Sequence, residues 1–465
     1  MLNHVYASSV HELRAGVRRL LERSNHSSQT RIARISVKLD GVNPLGWLIH
    51  RPQGGRIYWS GRDYGIEVAA FGEADCHYSS QATDLQELRS GLGAMLSGCE
   101  HGVRYYGGIR FDLHQPGEEQ WSSFGSWRFV LPRFEVRKNS KGTTLMCNLV
   151  IPDDQLQIEL ILDQVDTLHD SIEETRVHFE PTEQRFRPDF EDWGLMVNNA
   201  LHAFNHTSLD KMVLAREASI GFSGSLAPVS IIQALKKISP NCFHFLFEPT
   251  AGEAFLGASP ERLFRREGRS IESEAVAGTR PRGTSDVDDA RMIDELYSSA
   301  KEQREHEFVR ISLQEEVTSL AAHVTMDTLP SIMRLTSEIH LVSRLRAIMQ
   351  QEYTSLDVLD ALHPSPAVGG YPSEQALELI RREEPFDRGW YAGPVGWLGV
   401  NEAEFAVAIR SGLLSGSMIR LYSGAGIVRG STPLDEWHEI RHKIGDLAQV
   451  LGSYISAAES ELQYA

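Results

Sequence analysis

Between residues 31 and about 177, short apolar runs are set off by Gly, Pro or Asp turns: ARISVKL, GWLIH, RIYWSGRDYGIEVAAF, SWRFVLPRFEVR, TTLMCNLVI and QLQIELIL. Many of them alternate apolar with polar, the period-two pattern of half-buried strands, so this stretch predicts strands. One helix-like segment, residues 84–96, interrupts it. The charged, proline-bearing stretch 178–192 predicts a connector. After it the pattern predicts a helix over 193–204, a strand over 211–217, a helix over 229–237 and two strands, CFHFLFEP and EAFLGAS. A long helix is expected over 288–322 and a last one from Pro433 to near the end. Neither a clean βαβ alternation nor strands followed by helices, this order predicts a large α+β fold with layered sheets.

The last helix has a marked start, with Thr432 at the cap, Pro433 at the first helical position and Asp435 three residues after the cap. At ~100° per residue, Trp437, Ile440, Ile444, Leu447, Ala448 and Leu451 share one apolar arc and predict its core face. Beside that arc lie Glu436, Glu439 and Lys443, which by themselves read as a charged flank with i,i+4 pairing. His438-Glu439-x-x-His442 has the spacing of a zinc protease motif, but the wheel turns both histidines toward water, away from any cleft. In the long helix, Glu305 falls between two apolar flanks, within a narrow polar strip completed by Lys301, Ser312 and Glu316. A carboxylate so placed needs either an internal lysine or a cation shared with other carboxylates. If the two helices converge, Glu305, Glu436 and Glu439 make an all-carboxylate set suited to a hard cation such as Mg²⁺.

Two further segments stand out. LYSGAGIVRGS places Gly424, Gly426 and Gly430 between a strand and the capped helix, where backbone N–H groups can approach an anion. It lacks the spacing of a dinucleotide-binding turn. FLGASPERLF and EAVAGTRPRG set Glu261 and Thr279 beside turn residues.

Composition narrows the class. The 465 residues carry 46 Lys+Arg against 63 Asp+Glu, a formal net charge of −17, with 41% hydrophobic residues. Such a chain is globular, and is a poor general ligand for nucleic acid or an anionic membrane. No run is long and apolar enough for a membrane span. Cys76, Cys99, Cys147 and Cys242 lie far apart without a C-x-x-C pair, which predicts a reducing, cytoplasmic compartment. The opening segment is Arg-rich and amphipathic, yet Glu12 and Glu22 count against an organellar transit peptide.

Taken in order, KMVLAR, FLGASPERLF, AVAGTRPRG, SSAKEQREHEFVR, HLVSRL, LHPSPAVGGYP, RGWYAGPVGW, FAVAIRS, YSGAGIVRGS and EWHEIRHK resemble the motifs of the chorismate-utilising enzymes, and within them those of isochorismate synthases. The resemblance implies one intertwined α+β domain over 1–465, the anthranilate synthase component I type of fold. Its layered, mostly antiparallel sheets would be flanked by helices. About 30–180 would form a strand-rich first half and about 193–455 the catalytic half. It also implies roles. Lys211 matches the general base that activates water and Glu261 the general acid, while Glu305, Glu436 and Glu439 match a Mg²⁺ site. Gly278, Thr279, His340, Tyr391, Arg410, Gly424, Gly426 and Lys443 match positions around the substrate.

The implied reaction is chorismate to isochorismate, with water added at C2 and the C4 hydroxyl lost. A lysine base needs a site that favours its neutral form, and the acid needs the opposite, a carboxyl held protonated. Arg410 suits a bidentate grip on the enolpyruvyl carboxylate. Among relatives, aminodeoxychorismate synthases carry a lysine where this chain has Ala277. Anthranilate synthases read Pro-Ile where it has Ala275-Val276, and take ammonia from a glutaminase partner, which is not expected here. Salicylate synthases, which go on to eliminate pyruvate, share nearly all the motifs and are the main rival; a silent chorismate-binding relative is more remote. His438 and Ile440 depart from the family pattern beside the last glutamate. A monomer or weak homodimer is expected, and the consuming pathway, menaquinone, siderophore or salicylate, is left open.

Overall fold

The computed structural model describes residues 2–23, 30–39, 41–63, 65–96, 99, 101–169 and 180–452. All recorded strand pairings are antiparallel and join into one hydrogen-bonded network. From its middle, the strand Glu67–Ser79 runs alongside Trp127–Asn139. One arm continues through Arg56–Ser60, Phe243–Thr250, Glu253–Ser259, Ser411–Ser415 and Met418–Val428 to Lys211–Phe222. The other leaves Trp127–Asn139 through Arg104–Ile109, Pro394–Gly399, Glu402–Val407, Arg262–Glu267 and Ser270–Pro281 to Glu338–Met349. In each arm a strand from the first part of the chain therefore pairs directly with one from the second, Arg56–Ser60 with Phe243–Thr250 and Arg104–Ile109 with Pro394–Gly399.

Two large cores explain why so many strands are apolar on both faces. In Phe243–Thr250 and Glu253–Ser259, Phe245, Phe247 and Phe255 enter one core, where Phe255 and Phe247 meet Trp390 edge-on. Their neighbours Leu246, Ala254 and Leu256 enter a second core with helical residues such as Val10, Leu13, Val17, Ile232 and Leu447. A strand buried on both faces reads as a continuous apolar run, and that is the pattern of CFHFLFEP.

Several expected elements are corrected. GWLIH is not a strand but part of the helix Pro44–Ile49, started by Asn43, whose Oδ1 accepts from the Gly46 N–H at 3.0 Å, and by Pro44 at the first position. QLQIELIL is a 3₁₀ turn, Asp153–Gln157, and a helix, Ile158–Asp166; Ile161, Leu162 and Val165 are buried at helical spacing while Leu160 is exposed. The 178–192 connector contains the strand Pro181–Arg187, paired to Lys211–Phe222. The end of the strand-rich stretch, 170–179, lies outside the described residues. The opening segment is a helix, Leu2–Arg23, packed through Val10, Leu13, Val17 and Leu21.

The long helix is two. Asp286–Ser298 ends and Ala300–Leu320 begins at Ser299, whose extended backbone and side chain, accepting from the Glu302 N–H, cap the second helix. Tyr297 therefore belongs to a different helix from Glu305 and is exposed. The other expected helices are present, Gln86–Leu96, Phe190–His206, Pro228–Ile238 and Pro433–Val450, and two more that the pattern did not predict, Ser355–Leu362 and Ser373–Glu383, lie between the long helices.

Candidate active site

The two arms part around a cavity of about 700 Å³. Glu261, Gly278, Thr279, Glu305, His340, Tyr391, Arg410, Gly424, Gly426 and Lys443 all line it. Lys211, Glu436 and Glu439 do not, but each is tied to that region by an ion pair. Lys211 Nζ is 3.2 Å from Glu305 Oε1, Lys443 Nζ is 2.7 Å from Glu439 Oε1, and Lys301 donates to Glu436. The Lys301 bond joins the helices Ala300–Leu320 and Pro433–Val450, a convergence that periodicity alone could not establish.

Each wall has a local cause. Lys211 opens the strand Lys211–Phe222 and is fully buried. Across the pairing, Gly426 faces Val213, and a Cβ there would sit 2.2 Å from Glu305 Oε1 and 3.3 Å from Lys211 Cε. A bare backbone at 426 is what allows the lysine and glutamate to meet. Gly278 has φ +76° at a bulge in the pairing of Ser270–Pro281 with Glu338–Met349, a conformation that favours glycine. That bulge turns the Thr279 amide toward the Glu302 carboxylate at 3.1 Å, and puts Thr279 Oγ1 3.1 Å from His340 Nδ1. Arg410, at φ 51°, lies just before Ser411–Ser415 and donates from Nη2 to Glu338, with His340 Nε2 3.2 Å away.

Electrostatics sort the carboxyl groups. Glu261 sits between the strands Glu253–Ser259 and Arg262–Glu267; burial, reinforced by the charge of Glu274, pushes it up to about 8, against Lys211, Lys443 and Arg62. At neutral pH it holds its proton. Burial also raises Glu305, opposed by Lys211 and increased by Glu302 and Glu439. Burial and the neighbouring Glu439 raise Glu436 to about 7 against Lys301. Burial would raise Glu439 as well, but Lys443 and Lys301 outweigh it and hold that carboxyl below its ordinary value. Burial pushes the Tyr391 phenol up to about 12.

Glu305 and Glu436 both feel the charge of Glu439, yet among the described residues no three acidic, histidine or cysteine side chains meet closely enough to hold a metal ion. Lysines stand between them instead. The donor set nonetheless fits a hard divalent cation. Among the described residues Glu436 Oε2 is buried without a hydrogen-bond partner, and Glu305 and Glu436 are both raised by burial and by the charge of Glu439, which a cation would relieve. His438 and His442 are exposed, where the helical wheel places them.

Some wall residues were not legible as such. Glu302, buried beneath Gly278, fixes the AGT turn through Thr279 and Arg280. The Ser299-x-x-Glu302 spacing was a readable helix-start signal, but its side chain turned elsewhere. Glu338 is buried and, despite burial, held well below the usual carboxylate range by Arg410 and His340. Ala367, Val368 and Tyr422 also line the cavity, and Tyr422 stacks on Tyr391 with centroids 5.3 Å apart.

A cavity between antiparallel arms that sets a carboxyl kept protonated beside lysines and an arginine has the make-up of an acid–base enzyme's active site. The family described as "Chorismate binding enzyme" matches residues 19–452, and this chain belongs to it. It is 32% identical to the isochorismate synthase MenF of Escherichia coli over 418 residues, covering 89% of this chain and 91% of that one. It is also 32% identical to a chloroplastic isochorismate synthase of Catharanthus roseus, over 75% of this chain and 62% of that longer protein. The solved structure of MenF, the menaquinone-specific isochorismate synthase from Escherichia coli, superposes with a TM-score of 0.82 at 29% identity, covering 95% of this chain and 100% of that one.

Proposed function

We propose that this protein is an isochorismate synthase, converting chorismate to isochorismate with Mg²⁺. The observation that carries the reading is Glu261: a buried carboxyl that keeps its proton to about pH 8, in a cavity that also holds Arg410 and Lys443. Only a protonated carboxyl can hand a proton to a departing hydroxyl. Lys211 is the base that takes a proton from the water adding at C2, and Glu261 the acid that protonates the hydroxyl leaving C4. Arg410 and Lys443 receive the substrate's carboxylates, while Tyr391, Thr279 and His340 set the ring's position. Gly278, Gly424 and Gly426 let the wall approach it closely. When bound, Mg²⁺ would be held by Glu305, Glu436 and Glu439 and would neutralise the ring carboxylate.

Ala277 in the cavity wall offers no amine nucleophile. We infer no glutaminase partner, a monomer or weak homodimer, a cytoplasmic location and a role in menaquinone or siderophore synthesis. No helix among the described residues is long and apolar enough to cross a membrane. Incubating purified protein with chorismate and Mg²⁺ and resolving the products tests the reading: isochorismate without pyruvate is expected. Stoichiometric pyruvate would make it a salicylate synthase, and anthranilate formed with ammonium an anthranilate synthase.

A further inference from the structure

A second cavity, of about 410 Å³, lies behind the first. Glu261 stands in the wall of both. Pro260 on one side of it faces the substrate cavity, and Arg262 on the other faces the second. The turn after His363 divides them in the same way, residues 364–366 lining the second cavity and 367–368 the first.

The second cavity is bounded on one side by Ser312 and Glu316 of the helix Ala300–Leu320, and Glu316 is exposed. These two complete the polar strip that the sequence sets inside that helix's apolar arc. Lys301 and Glu305 serve the active site, and two to three turns further on Ser312 and Glu316 serve the second cavity. A purely apolar void would need neither. Ser365 Oγ, in the same wall, is buried with no hydrogen-bond partner among the described residues, a group that water would satisfy.

The proposed chemistry has a use for a path at this place. As the C2–O bond forms, Lys211 takes a proton from the entering water; as the C4–O bond breaks, Glu261 gives one to the hydroxyl. Each turnover thus creates a water beside Glu261 and leaves Glu261 as a carboxylate and Lys211 as an ammonium. That water must leave and Glu261 must regain a proton before the next turnover, and until release the product fills the first cavity. We propose that the second cavity is the solvent route to Glu261, a file of water running past Ser312 to Glu316 at the surface. The inference rests on the isochorismate synthase reading.

The test uses the full-length protein with Mg²⁺ and unlabelled chorismate in H₂¹⁸O. Before isochorismate accumulates enough to rebind, label appears at C4 of recovered chorismate only when the water formed beside Glu261 exchanges with bulk before the reaction reverses. Its initial rate of entry is compared with that of isochorismate formation. In Ser312→Leu, which plugs the cavity, and Glu316→Leu, which closes its mouth with an exposed substitution, that ratio is expected to fall several-fold with KM for chorismate unchanged. An unchanged ratio in both variants overturns the route, and Glu316→Leu decides alone if Ser312→Leu does not fold. If the unsubstituted protein forms no isochorismate, it is the functional reading that fails instead.

Discussion

At the scale of single residues, the chemistry depends on which charges are left without full compensation. Glu261 keeps its proton because burial and Glu274 outweigh three cations, so its acid form is present below about pH 8 and is lost as pH rises through that value. The expected kcat/KM profile falls on the alkaline side near pH 8. In Glu261→Gln, turnover should drop by ~10²–10⁴-fold, the usual contribution of a positioned acid, and that alkaline limb should vanish. Lys211→Ala should cost a similar ~10²–10⁴-fold in kcat with folding retained, measured by product formation beside a thermal melt. Unchanged turnover would remove Lys211 from the role of base. Gly426→Ala is a sharper probe, because the added methyl meets the side-chain ends of Glu305 and Lys211 rather than backbone. Little change in Tm is expected, with weaker Mg²⁺ dependence of turnover; an unaltered Mg²⁺ titration would disconnect Glu305 from the cation.

At the scale of elements, helix starts decide where side chains meet. A single long helix over 288–322 would have carried Tyr297 onto the face of Glu305. The break at Ser299 instead lets Ala300–Leu320 take its own direction, and Lys301 then reaches Glu436 on Pro433–Val450. Replacing a capping serine by alanine typically costs about 1 kcal/mol. Ser299→Ala should therefore lower stability by roughly that amount in a denaturant titration, and because the acidic helices lose their alignment, its Mg²⁺ half-saturation should rise. A loss of stability with the Mg²⁺ titration unmoved would make Ser299 a cap and nothing more. The misread strands have one cause too: GWLIH and QLQIELIL are short apolar runs, in which periodicity is weak and the Asn43-Pro44 start signal carries more information than the pattern.

At the scale of the whole molecule, the two parts of the chain are woven through one strand network. Arg56–Ser60 lies between Glu67–Ser79 and Phe243–Thr250, and Arg104–Ile109 lies between Trp127–Asn139 and Pro394–Gly399. A fragment beginning at residue 190 would expose the strand edges of Phe243–Thr250 and Pro394–Gly399, which invite aggregation. It is expected to be insoluble or to lack a cooperative melt when expressed alone; a soluble, two-state fragment would show the parts to be independent. The acidic total of the chain, −17, also takes its meaning only here. Around the cavity Lys211, Lys301, Lys443 and Arg410 are each paired with a glutamate, so local pairing and not the net charge governs an anionic ligand.

What the sequence determined by itself was the motif order, the α+β class, the capped last helix with its core face and, through the motifs, many of the polar groups that line the cavity. Those are local properties: turn residues, helical spacing and side-chain chemistry are written in consecutive positions. Tertiary structure alone decided that the acidic helices converge, that Glu302 and Glu338 are buried supports, and that one polar strip serves two cavities. These depend on packing between segments far apart in the chain. Burial then sets which carboxyl keeps its proton, because the cost of desolvating a charge is a property of the surroundings and not of the residue.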